Sequence, residues 1–254
     1  MKLITIVTNE DHAVFRNMLK PSVERAGLEL VVAKVSTYAD HHTKDTLLLS
    51  IIKKLDRKEV VLFSDAYDAV ILGTRQEINR KYRLKNRSVV FSAEPLCWPT
   101  RAIASKFPLT VSPFRFLNSG GFVGEAGTIC DIINDTLSTE HTRMFPWSNQ
   151  IYWQEQFLRK QDLIGLDTEC DLFGVLGIPE DLELVKDLRS TRPEDIKKKR
   201  HELFDKSFFF HDGRLHVRAT NGYPCHIHFN GPLTSILADI VKEGIVPVKS
   251  HQSV

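Results

Sequence analysis

The segment 60–70, VVLFSDAYDAV, sets two carboxylates, Asp65 and Asp68, three residues apart at the end of an apolar run. A turn or helical start there points both to one side, where two anionic groups repel unless a cation or a cluster of donors lies between them. A hard divalent ion meets that need. One aspartate capping a following helix, with the other left in solvent, meets it too. The segment 225–232, CHIHFNGP, carries a second signal. His226 and His228 alternate, so on a strand both imidazoles face the same side. One of them can complete a mixed oxygen and nitrogen site suited to manganese. Such a pair also occurs as ordinary hydrogen-bonded histidine. Zinc fits less well, because no thiolate or third histidine has suitable spacing. Asn230, Gly231 and Pro232 offer an amide, a tight backbone and a fixed turn, useful beside a phosphate and common in any loop.

Two further segments carry polar groups beyond strands. FLNSGGF (116–122) offers Asn118 and Ser119, with Gly120 and Gly121 permitting close backbone approach to a ligand. No GK[ST] follows, so it is no phosphate-binding P-loop, and it is no dinucleotide fingerprint. FSAEPLCWP (91–99) adds a carboxylate, Glu94, and an aromatic plate, Trp98. Both suit core packing, and both suit a sugar ring with one apolar and one hydroxylated face.

The elements that position these groups alternate. Strands are predicted over 3–8, 28–35, 59–64 and 88–94, with helices over about 11–26, 44–55 and 74–83 between them. That order predicts an α/β fold with a mostly parallel sheet flanked by helices. Ligands of such sheets bind outside the carboxyl ends of the strands, where Asp65 and Asp68 fall. The second half is less regular. Residues 116–126 read as a turn-rich segment before a helix around 127–137. A helix over 149–160, short strands within 163–176 and a solvated helical face within 179–206 follow. FFFHDGRLHV (208–217) reads as a hairpin turning at Asp212-Gly213. No repeat, low-complexity tract or linker interrupts the chain, so residues 1–254 read as one domain.

At 254 residues, with 42% hydrophobic and 26% charged residues, the composition is that of an ordinary soluble globular protein. Lys and Arg number 34 against 32 Asp and Glu, and the pI of about 8.3 neither demands nor excludes a polyanionic partner. The start, MKLITIVTNEDH, reaches charged residues after about six apolar ones and reads as no signal peptide. No run approaches the roughly 18–20 apolar residues of a membrane span. Cys97, Cys130, Cys170 and Cys225 show no CxxC spacing and read as free thiols in a reducing compartment, so a cytoplasmic location is expected.

Taken in order, FSDAYDAVI, FSAEPLCWP, FLNSGGFVGEA and HFNGP resemble the glycosyltransferase domain of procollagen lysyl hydroxylases and its stand-alone viral and microbial relatives. The resemblance runs from about residue 3 to residue 235. It implies a GT-A, Rossmann-like fold with a nucleotide-binding half (about 1–115), an acceptor-binding half (about 116–240) and a tail (241–254). It implies a UDP-sugar donor, UDP-glucose or UDP-galactose, and Mn2+. On matching positions, Asp65 and Asp68 would form the metal-binding pair, with His228 as third ligand and His226 in support. Val7 and Thr8 would line the uridine pocket, and Tyr67 would pack near the base. Lys44 would lie near the donor. Asn230 and Gly231 would approach the diphosphate, and Trp98 and Asn118 the sugar.

One departure stands out. Ahead of the Gln of a DDQ stretch, the family places aspartates that face sugar and acceptor, whereas this chain has Ser148-Asn149-Gln150. Uncharged Asn149 cannot serve as nucleophile or general base. It can still orient the donor, and a retaining front-face mechanism can pass the acceptor proton to the leaving phosphate. Altered donor or acceptor choice, or a catalytically silent UDP-sugar-binding protein, are the alternatives. Hydroxylysine in a collagen-like protein is the acceptor the resemblance implies. The cytoplasmic character also suits a microbe or virus, where hydroxymethylated pyrimidine in DNA is a second candidate; Lys197–Arg200 and Arg214–Arg218 give it a weak electrostatic basis. A manganese-dependent phosphatase or nuclease is a remoter reading of the same Asp and His set.

Overall fold

Short β-rich runs and amphipathic stretches alternate in the chain, and the structure follows them closely. A computed structural model describes residues 1–135, 137–177, 193–231 and 236–244. β1 (Lys2–Val7) leads through a π-helical turn, Phe15–Leu19, into α1 (Lys20–Arg25). Then come β2 (Glu29–Lys34), α2 (His42–Ile52), β3 (Val60–Ser64), β4 (Ala69–Ile71), α3 (Arg75–Leu84) and β5 (Val89–Glu94). The second half supplies β6 (Phe116–Glu125), α4 (Ala126–Asn134), α5 (Glu140–Met144), α6 (Asn149–Arg159), β7 (Ile164–Asp167) and β8 (Phe173–Val175). It closes with α7 (Pro193–Ser207), β9 (Phe208–His211), β10 (Arg214–Val217), β11 (His226–His228) and α8 (Leu237–Gly244).

Local signals set the boundaries. Thr74 caps α3 by accepting the Glu77 N–H at 3.2 Å. Asp212 and Gly213 both take positive φ, 49° and 70°, as the tight hairpin between β9 and β10 requires.

Six strands form the main sheet in the order β2-β1-β3-β6-β5-β7. β1 is parallel to β2 and β3, and β5 is parallel to β7, while β6 runs antiparallel to both β3 and β5. This is the mostly parallel α/β sheet expected, with helices on both faces. One face packs Phe63, Phe91 and Phe122 against α2, α4 and α6 through Leu48, Ile52, Ile129, Ile132 and Trp153. The other packs Leu3, Leu62, Val90 and Val123 against Phe15, Leu19, Val23, Ile78 and Tyr82. A smaller sheet, β4-β11-β8, sits at one end with the hairpin and α7.

Residues 116–126 depart from the expectation of a turn-rich segment, because most of them form β6, the longest strand. The Asn-Ser-Gly-Gly sequence has poor strand propensity, but β3 and β5 pair with it on both sides, and tertiary pairing overrides propensity. The expected charged face is helical where described, over α7, while 179–192 lies outside the described residues. So do Pro232 and residues 245–254 of the expected tail. All four cysteines are free thiols. Among the described residues no helix is long and apolar enough to cross a membrane.

Candidate functional site

Backbone pairing brings the two carboxylates and the histidines together. Asp65 and Asp68 occupy the bend between β3 and β4. A strand, not a helix, follows, so neither aspartate is a helix cap. β4 pairs antiparallel with β11 in the register Ala69↔His228, and Phe229 N–H donates to the Asp68 carbonyl at 2.7 Å. A one-residue slip in this pairing would turn both histidines away. Asp65 N–H donates to the Gly120 carbonyl at 2.8 Å, which anchors the bend to β6.

Asp65, Asp68 and His228 each present a ligand atom within 4.8 Å of the others'. His228 Nε2 lies 3.2 Å from Asp68 Oδ2 and 3.8 Å from Asp65 Oδ2. The neighbours fix the tautomer. Gly120 N–H donates to Asn118 Oδ1 at 2.9 Å, and the same oxygen lies 3.1 Å from His228 Nδ1. Nδ1 therefore carries the proton, and in the neutral ring the Nε2 lone pair faces the carboxylates. A lone pair and two anionic oxygens converging on one point are a ligand set for a cation. Without one, burial disfavours the charged imidazole, but Asp68 and then Asp65 raise its pKa. Burial likewise opposes ionisation of Asp68, yet its carboxyl is held below the usual range by His228 and Lys44.

Lys44 Nζ holds Asp65 Oδ1 at 2.6 Å and leaves Oδ2 toward His228. His226 is 1% exposed, with Nε2 2.9 Å from Ser64 Oγ. Burial and then the charge of His228 push its pKa down to about 3, so it stays neutral.

A cavity of about 400 Å³ opens over this corner. Among its lining residues are Lys44, Asp65, Asp68, Glu94, Trp98, Asn118, Gln150, His228, Asn230 and Gly231. Glu94 is the polar hub of its far wall. Its Oε1 accepts from Gln150 Nε2 at 2.7 Å and Asn118 Nδ2 at 3.2 Å, and its Oε2 accepts from Asn230 Nδ2 at 3.0 Å. Burial pushes this carboxyl up to about 7, against the pull of those amides. Gln150 and Gln154 both donate to the Trp98 carbonyl, at 3.0 and 3.1 Å, so α6 holds the Trp98 loop. Trp98 and Trp147, each 43% exposed, stand edge to face 5.3 Å apart.

A second cavity, about 530 Å³, shares His41, Lys44, Asp65 and Asp68 with the first. Thr8 and Tyr67 line it, with Ile6 and Tyr38. Tyr67 Oη accepts from the Thr8 and Asn9 N–H groups, both at 2.7 Å, which pins β1 to the carboxylate bend. Two expected site residues do not line either cavity. Val7 is buried in the core, and Asn149 is 2% exposed, bonded to Asp45 and Ser119.

Residues 33–241 match the family model for the PLOD GT domain. The chain belongs to that family. Relatives of this PLOD GT domain include a mimivirus protein, R699, 26% identical over 75% of this chain and 35% of its own length. Bovine procollagen-lysine,2-oxoglutarate 5-dioxygenase 1 is 35% identical over 60% of this chain and 21% of its own length. The multifunctional procollagen lysine hydroxylase and glycosyltransferase LH3 of Pongo abelii is 27% identical over 77% and 24%. The chain thus spans about a fifth to a third of these relatives. A solved galactosyltransferase, LgtC, in complex with donor and acceptor sugar analogues, superposes with TM-score 0.48 at 10% identity, covering 97% of each chain.

Sequence reasoning missed Asp45, His41, Tyr38 and Trp147. His41 and Asp45 flank Lys44 at the start of α2, and that spacing was the available signal for His41. Trp147, an aromatic residue in a polar connection, was another. Asp45 gave none, because a lone aspartate in a first helical turn is commonplace.

Proposed function

We propose that this PLOD GT domain is a manganese-dependent glycosyltransferase that moves a hexose from UDP-glucose or UDP-galactose to a hydroxyl acceptor such as hydroxylysine. The convergence of Asp65, Asp68 and the His228 lone pair on one point carries this reading. Two carboxylates and one imidazole, with no thiolate beside them, fit manganese better than zinc. A divalent ion held by these three residues would neutralise the charge that develops on the departing UDP.

The residues of the chain divide the remaining work. Thr8 and Tyr67 line the cavity for the uridine, with Val7 shaping β1 behind it. Lys44 brings a cation to the junction of the two cavities, beside the diphosphate. Asn230 and Gly231, the latter with φ of 64°, bound the diphosphate from the other side. Trp98, Asn118 and Gln150 face the sugar, while Asn149 acts on it from behind the wall. The site thereby draws on both proposed halves, 1–115 and 116–240. Both oxygens of Glu94 are engaged by amides, so the leaving phosphate is the better acceptor for the incoming hydroxyl's proton.

A panel of UDP-sugars with and without manganese, scored for UDP release, tests the donor and metal. Mass shifts on hydroxylysine peptides then test the acceptor. No UDP release from any sugar, with or without acceptor, sinks the proposal and leaves a binding protein.

A further inference from the structure

One buried carboxylate beside the cavity has no part in the chemistry so far. Asp45, in the first turn of α2, is 7% exposed and lies behind the wall. Its Oδ1 accepts from Asn149 Nδ2 at 3.2 Å and Trp153 Nε1 at 3.0 Å, and His42 Nδ1 lies 3.5 Å from Oδ2. A carboxylate can only accept, so Asn149 must turn its nitrogen toward Asp45 and its oxygen away. That oxygen lies 3.4 Å from the Ser119 hydroxyl.

Gln150 is oriented by the same logic. Its Nε2 donates to Glu94 and to the Trp98 carbonyl, which leaves Oε1 facing Ser119, 3.2 Å from N–H and 3.5 Å from Oγ. The Ser119 hydroxyl therefore sits between two amide oxygens that can only accept. Its hydrogen is drawn to them, and its lone pairs are left for the cavity that Ser119 lines.

We infer that Asp45 is a positioning residue which, through Asn149, presents Ser119 Oγ to the cavity as a hydrogen-bond acceptor for a hydroxyl of the bound hexose. A ligand group without a donor finds no partner there. The inference rests on the glycosyltransferase reading, so wild-type UDP release from UDP-glucose and UDP-galactose is measured first, and its absence overturns both. With an active wild type, Asp45→Leu, which has no acceptor for Asn149, Ser119→Ala and the double variant are compared by kcat/KM for the UDP-sugar. UDP affinity and Tm are measured alongside. Each single change is expected to lower kcat/KM about tenfold, the worth of one buried hydrogen bond. The double variant is expected to be no worse than the poorer single one, with UDP affinity within about twofold of wild type. Wild-type kcat/KM in Asp45→Leu, or losses that multiply in the double variant, overturns this inference alone.

If Asp45→Leu does not fold, Asn149→Leu carries the test, because it takes the amide oxygen away from Ser119 and leaves the Trp153–Asp45 hydrogen bond in place. Its kcat/KM is expected to fall about tenfold, with no further fall when Ser119→Ala is added. Wild-type kcat/KM in Asn149→Leu, or a loss that multiplies with that of Ser119→Ala, overturns the inference.

Discussion

A methyl group built on Gly120 would lie 2.2 Å from His228 Cε1, and one on Gly121 2.9 Å from His226 Cε1. Neither glycine serves backbone conformation; both make room for an imidazole. Gly120→Ala is therefore expected to displace His228, to remove most metal-dependent transfer, and to destabilise by about 1–3 kcal/mol as an overpacked core does. UDP-release assays and urea unfolding check the two effects. Asp68→Ala removes a ligand without adding bulk. Manganese-dependent UDP release is expected to disappear while the far-UV circular dichroism spectrum stays native, and wild-type turnover in this variant would refute the metal assignment.

Glu77 joins two elements remote from the site. Arg214 of β10 grips both of its carboxylate oxygens, at 2.8 and 3.0 Å, and Lys81 one turn along α3 adds a third contact at 2.8 Å. Burial opposes ionisation of Glu77, but these cations hold its carboxyl at about 2, below the ordinary 4.5. A carboxyl depressed on folding stabilises fully above the unfolded value. Its contribution is lost as pH falls from about 4.5 toward 2. Glu77→Gln is expected to cost about 1 kcal/mol at pH 7, reduced by solvent screening, and to flatten the loss of stability in acid. Urea midpoints at pH 7 and pH 3 decide this, and unchanged midpoints at both would show the pair to be inert.

At the scale of the whole molecule, the site is assembled from β1, α2, the β3–β4 bend, β6, α6 and β11, so a ligand bound there bridges most of the fold. Binding to the native state alone stabilises it by mass action, about 2.7 kcal/mol at a hundredfold excess over Kd. Manganese with UDP is thus expected to raise Tm in the wild type and to leave Asp68→Ala unmoved. A chelator added to the loaded protein should reverse the gain. Equal shifts in the two proteins would place the ion elsewhere.

The strands β1, β2, β3 and β5, the helices between them and the hairpin at Asp212-Gly213 were legible in the chain, because each rests on local periodicity and turn chemistry. The types of the candidate ligands were legible as well: DxxD after an apolar run and alternating histidines are patterns of a few residues. Sequence could not show that LNSGGF is a strand, since its conformation depends on β3 and β5 pairing with it from both sides. It could not show that Ala69 stands opposite His228, a register set by strands more than 150 residues apart. Nor could it show that Asn149 faces Asp45 instead of the cavity. Spacing along a chain determines which groups one element can present together; only the packing of distant elements decides which groups meet, which way an amide turns, and where a lone pair is left for a ligand.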